Sequence, residues 1–115
     1  MEKKLEEFGK LFIKAVRDET INSIDKMLDG TMKGITSRQV QEKFADFDSK
    51  QIEVVKWFLP KIIDMSLHNM LFMIEVQDEI ELLFKKENLN DLSDGLSGEL
   101  YTEDGWIKNY SKERE

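Results

Sequence analysis

Three side chains that could do chemistry fall on one stripe of a predicted helix. At about 100° per residue, Glu75 lies about 20° and His68 about 40° from Asp64 around the helix axis. A histidine between carboxylates can bind a metal ion or act as a general base oriented by one of them. These residues are the candidates for catalysis, and the alternative interpretation is the solvated face of a buried helix.

The remaining sequence argues against an enzyme. His68 is the single histidine, whereas metal sites in helical bundles usually draw Glu-x-x-His pairs from several helices. The chain has no cysteine, which excludes thiolate zinc sites and cysteine nucleophiles. Phosphate-binding loops, nucleophile elbows and dinucleotide fingerprints are absent from the sequence. We therefore expect neither a metal ion nor a cofactor.

A second group of candidate residues lies after Asn88, where the amino-acid composition of the chain changes. The last 28 residues hold three of the six glycines, both tyrosines and one of the two tryptophans. Aromatic side chains dominate interface hot spots because they bury a large area with few rotatable bonds. The predicted binding residues are these aromatic side chains and two neighbouring carboxylates: Tyr101, Trp106, Tyr110, Glu103 and Asp104. The alternative for Trp106 is a structural anchor beneath the segment.

The net charge of −7 limits the partners. No basic stripe is visible, so nucleic acid, whose binding depends on Lys and Arg contacts to phosphate, is an improbable partner. A basic protein partner is compatible with the charge. The most apolar window, residues 57–76, is interrupted by charged and polar side chains, which is typical of a buried helix and not of a membrane span. We expect a cytoplasmic protein of bacterial type.

The periodicity of apolar residues predicts a mainly helical fold. Spacings of three and four place one apolar stripe along residues 2–17, and the pattern continues to residue 28 as the same helix or as a second one. Gly30 stands where a helix C-terminus is expected. The predicted inward side chains of the first stretch are Leu5, Phe8, Leu11, Phe12, Ala15 and Val16.

A longer helical pattern runs from Lys50 to about Lys86. Asp48, with Gln51 three residues later, resembles a capping box at its start. Pro60 either kinks or breaks this helix, because proline removes a hydrogen bond and clashes with the preceding turn. The pattern is apolar over most of its circumference, so we expect the helix to be central in the fold. Its predicted apolar face comprises Ile52, Val55, Leu59, Ile63, Met70, Met73, Ile80 and Phe84.

The last segment carries a hairpin signal. Asp104-Gly105 stands between two short runs with aromatic and apolar residues, which predicts strands near residues 99–101 and 106–108. Together these patterns predict an all-α fold in the main: a single domain over residues 1–115, built as a bundle of four to five helices. Residues 88–115 are predicted to form a loop and hairpin appendage packed on the helices.

These observations favour a non-enzymatic module that binds or regulates another protein. An immunity-like or antitoxin-like role is one concrete version, based on small size and acidity. The alternative from another class is a metal-dependent enzyme or sensor that uses Asp64, His68 and Glu75. A third interpretation is a structural homo-oligomer, since the apolar face of residues 52–84 is wide for one chain to cover and could form a homodimer.

Overall fold

Residues 3–29 form one continuous helical run in the computed structural model, which describes residues 2–115. The run consists of α1 (Lys3–Phe12), a π-helical segment (Ile13–Asp18) and α2 (Glu19–Asp29). The residues that join the three pieces keep right-handed helical backbone angles. Gly30 ends the run in the left-handed region, at φ 77°, where glycine has no Cβ to clash. The predicted helix end is therefore confirmed.

The π-helical segment changes which side chains face the core. A π turn holds more residues than an α turn, so side chains beyond it no longer follow the α-helical phase. The predicted stripe was therefore wrong for Ala15 and Val16, which are exposed, and Leu11, which precedes the segment, is exposed as well. Ile13 and Arg17 are fully buried instead.

The long helix α4 (Ser49–Val76) spans Pro60 and begins at the predicted cap. The Asp48 side chain accepts a hydrogen bond from the Gln51 amide at 2.8 Å, and the Gln51 side chain accepts one from the Asp48 amide at 2.8 Å. This reciprocal pair satisfies two amides that a helix start leaves without partners. A shorter helix, α3 (Ile35–Lys43), precedes α4.

The end of α4 differs from the prediction. The helix stops at Val76 and not near Lys86, and residues 83–88 form a small antiparallel hairpin of β1 (Leu83–Phe84) and β2 (Glu87–Asn88). Its two turn residues, Lys85 and Lys86, have φ of 51° and 71°. Positive φ at both positions is what the tight type I′ turn requires, and glycine or asparagine usually supplies it. The sequence carried no such signal here.

The hairpin predicted at residues 99–108 was wrong. The chain there forms α5 (Leu89–Leu92), a 3-10 helix (Leu96–Leu100) and α6 (Trp106–Tyr110). A tight turn does lie between them, since the Gly105 amide donates to the Thr102 carbonyl at 3.0 Å. The flanking residues are nevertheless helical, because the adjacent Trp106 and Ile107 are both buried. Neighbours in a strand point to opposite faces and could not both enter the same core.

The core lies between the α1–α2 run, one face of α4 and the C-terminal helices. From α4 it takes Ile63, Leu67, Leu71 and Ile74. Trp106 of α6 is its largest fully buried side chain. The other buried apolar residues are Leu5, Phe12, Ile13, Ile21, Leu89, Leu96, Leu100 and Ile107.

Gly9 gives the C-terminal segment a place to dock. A methyl group at Gly9 would overlap the indole ring of Trp106, so only glycine lets α6 approach α1 this closely. The indole also packs edge-on against Phe8 and Phe12, with ring centroids 5.8 and 6.4 Å away.

We predict that Gly9→Ala destabilises the fold, although alanine is favoured in helices by about 1 kcal/mol. Overpacking a close contact costs about 1–3 kcal/mol, so the free energy of unfolding should fall by about 1 kcal/mol in urea titration. Gly98→Ala is the matched control, because nothing lies within 4 Å of the added methyl group. Equal stability of Gly9→Ala and the wild type would contradict the packing described.

Candidate functional site

The predicted aromatic binding residues separate into two environments. Trp106 is fully buried, and its Nε1 donates to the Glu6 carboxylate at 3.4 Å. Tyr110 is half-buried and donates its hydroxyl hydrogen to the other Glu6 oxygen at 2.5 Å. Both therefore attach the C-terminal segment to α1. Tyr101 alone of the three presents a large exposed fraction, 41%.

Tyr101 lies against α4. Its ring centroid is 5.7 Å from that of His68, whose ring stacks in turn on Phe72 at 6.0 Å with only 9° between the planes. A shallow cleft of about 310 Å³ lies beside the tyrosine, lined also by Lys61, Asp64 and Met65. The predicted carboxylates Glu103 and Asp104 lie on the exposed turn between the 3-10 helix and α6. A neighbouring cleft of about 300 Å³ includes Glu103 in its lining.

The carboxylates of the predicted catalytic stripe have structural partners. Both Asp64 oxygens accept from the Arg17 guanidinium, at 2.6 Å from Nε and 3.2 Å from Nη2. Glu75 accepts from the backbone amide and the hydroxyl of Ser97, each at 2.8 Å. The His68 Nδ1 is buried without a hydrogen-bond partner among residues 2–115. Across the same residues, no cluster of three metal-ligating side chains is found.

Arg17 is the residue that the sequence reasoning missed. Its side chain is fully buried, and besides Asp64 it donates to the Ser111 hydroxyl at 2.8 Å and to the Arg114 carbonyl at 3.0 Å. It thus connects the π-helical segment, α4 and the chain end. An α-helical phase places Arg17 away from the apolar stripe, so the pattern gave no signal that it is buried.

A second arginine secures the chain end from outside. Arg114 forms a bidentate pair with Asp25 of α2, at 2.8 and 2.9 Å, and also donates to the Lys56 carbonyl of α4. Bidentate arginine–carboxylate pairs fix geometry as well as adding energy. The Asp25 carboxylate raises the pKa of Arg114 above its usual value. The last residues are therefore held between α2 and α4.

The outer face of α4 carries an apolar surface that the rest of the described chain leaves exposed. Five large side chains on this face are each about half exposed or more, and we call them the α4 stripe: Phe58, Ile62, Met65, Phe72 and Val76. The exposed Asn69 is the polar residue within the line. Single exposed apolar residues are ordinary, whereas a contiguous apolar patch marks an interaction site. The stripe extends along the helix from the Tyr101 cleft in both directions.

Comparisons with protein-family models, with curated proteins and with solved structures find no match to this chain. Within residues 2–115, no helix combines the length and the apolar character that crossing a bilayer requires.

Removing the Asp64 carboxylate tests the structural role of its pair with Arg17. Asp64→Ala removes the carboxylate that accepts directly from a buried guanidinium, and breaking such a buried pair typically costs about 3–5 kcal/mol. Asp29→Ala is the matched control, because Asp29 also accepts from a cation, Lys56, at 2.6 Å but on the surface. Exposed pairs contribute about 0–1 kcal/mol. Urea titration should therefore separate the two variants by more than about 2 kcal/mol, and equal losses would contradict the role of Arg17.

The two tyrosines give a pH signature. The hydrogen bond to Glu6 raises the pKa of Tyr110 to about 12, with burial and the Glu6 charge acting in the same direction. Burial, then the charge of Asp64, raises the pKa of Tyr101. Both shifts favour the protonated hydroxyl in the fold. The contribution of Tyr110 to stability is thus fully present below pH 10 and is lost as the pH rises through about 12.

We expect the tyrosinate absorbance to show no transition centred at the ordinary pKa of 10. Tyr110→Phe should remove the higher step, and Glu6→Gln should move that step to lower pH. Glu7→Gln is the control, because Glu7 pairs with Lys85 and not with a tyrosine. A Tyr110 step that stays in place in Glu6→Gln would contradict the assignment.

Proposed function

We propose that this chain is a non-enzymatic helical module that binds another protein chain through the α4 stripe. The observation that carries the proposal is the outer face of α4, where large apolar side chains remain exposed over about five helical turns while the opposite face is buried. Water-exposed apolar area of this extent is stabilised by covering it with a partner. Tyr101 adds an aromatic side chain at the edge of the same surface.

The roles of the predicted catalytic residues also support a binding function. Asp64 holds the π-helical segment on α4 through Arg17, and Glu75 holds the C-terminal segment on α4 through Ser97. The described residues supply no metal-ligating cluster beside them. A nucleophile and base in hydrogen-bond contact would be the starting point for acyl transfer. The Ser97 hydroxyl does donate to Glu75, but Ser97 is buried and its backbone amide donates to the same carboxylate oxygen, as in a structural contact.

The chemistry of the stripe indicates what kind of partner it accepts. Its residues carry no charge, so recognition comes from apolar contact and shape. The long unbranched side chain of Met65, with 66% of its surface exposed, can adapt to a facing helix. The net charge of −7 lies elsewhere and discourages nonspecific association with nucleic acid. A helix that lays an apolar face along α4 is the recognition mode that fits.

The proposal is tested by photo-crosslinking from the stripe in the cells that naturally express the protein. A benzophenone amino acid at Met65 should yield discrete protein adducts, whereas the same probe at Gln39, exposed on α3, should yield none. The Met65 adducts should disappear in Phe72→Glu and persist in Leu83→Glu, which alters an exposed apolar residue outside α4. An adduct pattern that is the same at both probe positions, or that is unaffected by Phe72→Glu, would remove the stripe as a binding surface.

A further inference from the structure

The outer face of α4 carries a heptad repeat. Starting from Val55 as position a, the alternating steps of three and four residues place Phe58, Met65 and Phe72 at d. The a positions are Val55, Ile62, Asn69 and Val76. The pattern covers more than three heptads, which is the length at which a heptad indicates a coiled coil.

The burial of α4 by its own chain follows the same register. The buried residues of the helix all fall at positions b, c and f, on the side away from a and d: Pro60, Ile63, Leu67, Leu71 and Ile74. The side chains at d and at the later a positions are exposed. Pro60, at an f position, therefore lies on the face that packs against the chain's own body, and the a/d face is left free along the helix.

The amount of surface in this molecule is large for one chain. Its accessible surface is 7965 Å², whereas a folded monomer of this mass should expose about 6,600 Å². Its radius of gyration is 16.6 Å, against about 13 Å for a compact domain of this length. The larger accessible surface and the larger radius of gyration both indicate that this chain exposes surface that a compact monomer would bury.

The apolar part of that surface has the size of an interface. Seven exposed apolar side chains occupy or flank the a/d face of α4: Val54, Phe58, Ile62, Met65, Phe72, Met73 and Val76. At roughly 150–250 Å² for a large side chain, their exposed fractions amount to on the order of 600 Å² per chain. Two chains together would bury roughly 1,200 Å², the lower bound for a specific and stable interface.

We infer that the partner of the α4 stripe is a second copy of this chain, paired through α4 as a parallel, in-register, two-stranded coil. This inference rests on the proposed function and names the occupant of its surface. β-branched residues at a, with leucine at d, are the arrangement that favours two strands, and methionine and phenylalanine share the unbranched Cβ of leucine. Ile62 and Val76 fill a positions, and Met65 and Phe72 fill d positions, in that manner.

Asn69 fixes the orientation of the pair. In a parallel pair each a residue faces the same residue of the other chain, so the two Asn69 amides hydrogen-bond to each other across the axis. In an antiparallel pair a faces d, and the amide would be buried among apolar side chains without a hydrogen-bond partner, which is unfavourable. A single polar residue at a is the known means of specifying register and orientation in such coils.

Sedimentation equilibrium of the purified chain at micromolar concentration tests the pairing. We expect the mass of two chains for the wild type and of one chain for Phe58→Glu. Trp57→Glu is the matched control, because Trp57 is the adjacent residue and is 60% exposed, compared with 52% for Phe58, but occupies position c. It should retain the mass of two chains. Circular dichroism should be unchanged in both variants, since both side chains already lie in water.

A disulfide tests the orientation, because the chain has no cysteine of its own. Val76→Cys should form an interchain disulfide on mild oxidation, since only a parallel in-register pair brings the two Cα atoms within the roughly 4.4–6.8 Å that the bond requires. Gln39→Cys, exposed on α3, should remain largely reduced and measures collisional oxidation.

Three results would overturn the inference. The first is a wild type with the mass of one chain, the second is a pair that survives Phe58→Glu, and the third is a Val76→Cys protein that oxidises no faster than Gln39→Cys. A monomeric wild type that still gives Phe72-dependent adducts from Met65 would reject self-pairing and leave the proposed binding function standing. Loss of those adducts as well would reject both.

Discussion

The structure depends on the buried guanidinium of Arg17. A charged group without water requires several hydrogen-bond acceptors, and Arg17 obtains them from α4, through Asp64, and from the chain end, through Ser111 and the Arg114 carbonyl. Its neighbour Asp18 accepts from the Ser111 hydroxyl at 2.6 Å and from the Lys112 amide at 2.9 Å. Burial of a charge is costly unless every partner is in place, so these three segments can adopt few other arrangements. The hydrogen bonds around Arg17 thereby restrict how these three segments pack together.

This constraint explains why α4 has two different apolar faces. The inner face packs against the chain's own body, through contacts with α2, the π-helical segment and the 3-10 helix. Arg17 and Glu75 attach that body to one side of the helix, and Tyr101 and Arg114 of the C-terminal segment contact α4 at His68 and Lys56. The other side keeps its apolar residues in water. The surface proposed for binding is thus the part of α4 that the anchored segments do not cover.

The sequence was informative where one local rule decided the outcome. The capping box at Asp48, the glycine that ends α2 and the predominance of helix followed from side-chain chemistry and periodicity. It was uninformative where long-range packing decided. The stripe of the first helix went out of phase at the π-helical segment, and the Lys85–Lys86 turn lacks the residues that usually announce it.

The candidate site was only partly accessible from the sequence for a similar reason. A helix that is apolar around its whole circumference does not indicate which side its own chain covers. The heptad repeat of α4 can therefore be recognised only once the buried residues are known. The sequence is compatible with Trp106 as an anchor or as a binding contact, and the packing against Gly9 distinguishes the two. Glycine inside an amphipathic helix was the available signal, because it is unfavourable there unless a neighbour needs the space.

The π-helical segment also limits how this chain can change length. Such a segment corresponds to one residue inserted into an α-helix, and removing any one of residues 13–18 would restore regular α-helical winding. The side chains of α2 would then turn by about 100° relative to α1. Arg17 and Asp18 would leave the interior, and Ile21, now fully buried, would rotate with them. Substitution at the exposed positions of the first helical run should therefore be tolerated far better than the loss of a single codon in these six.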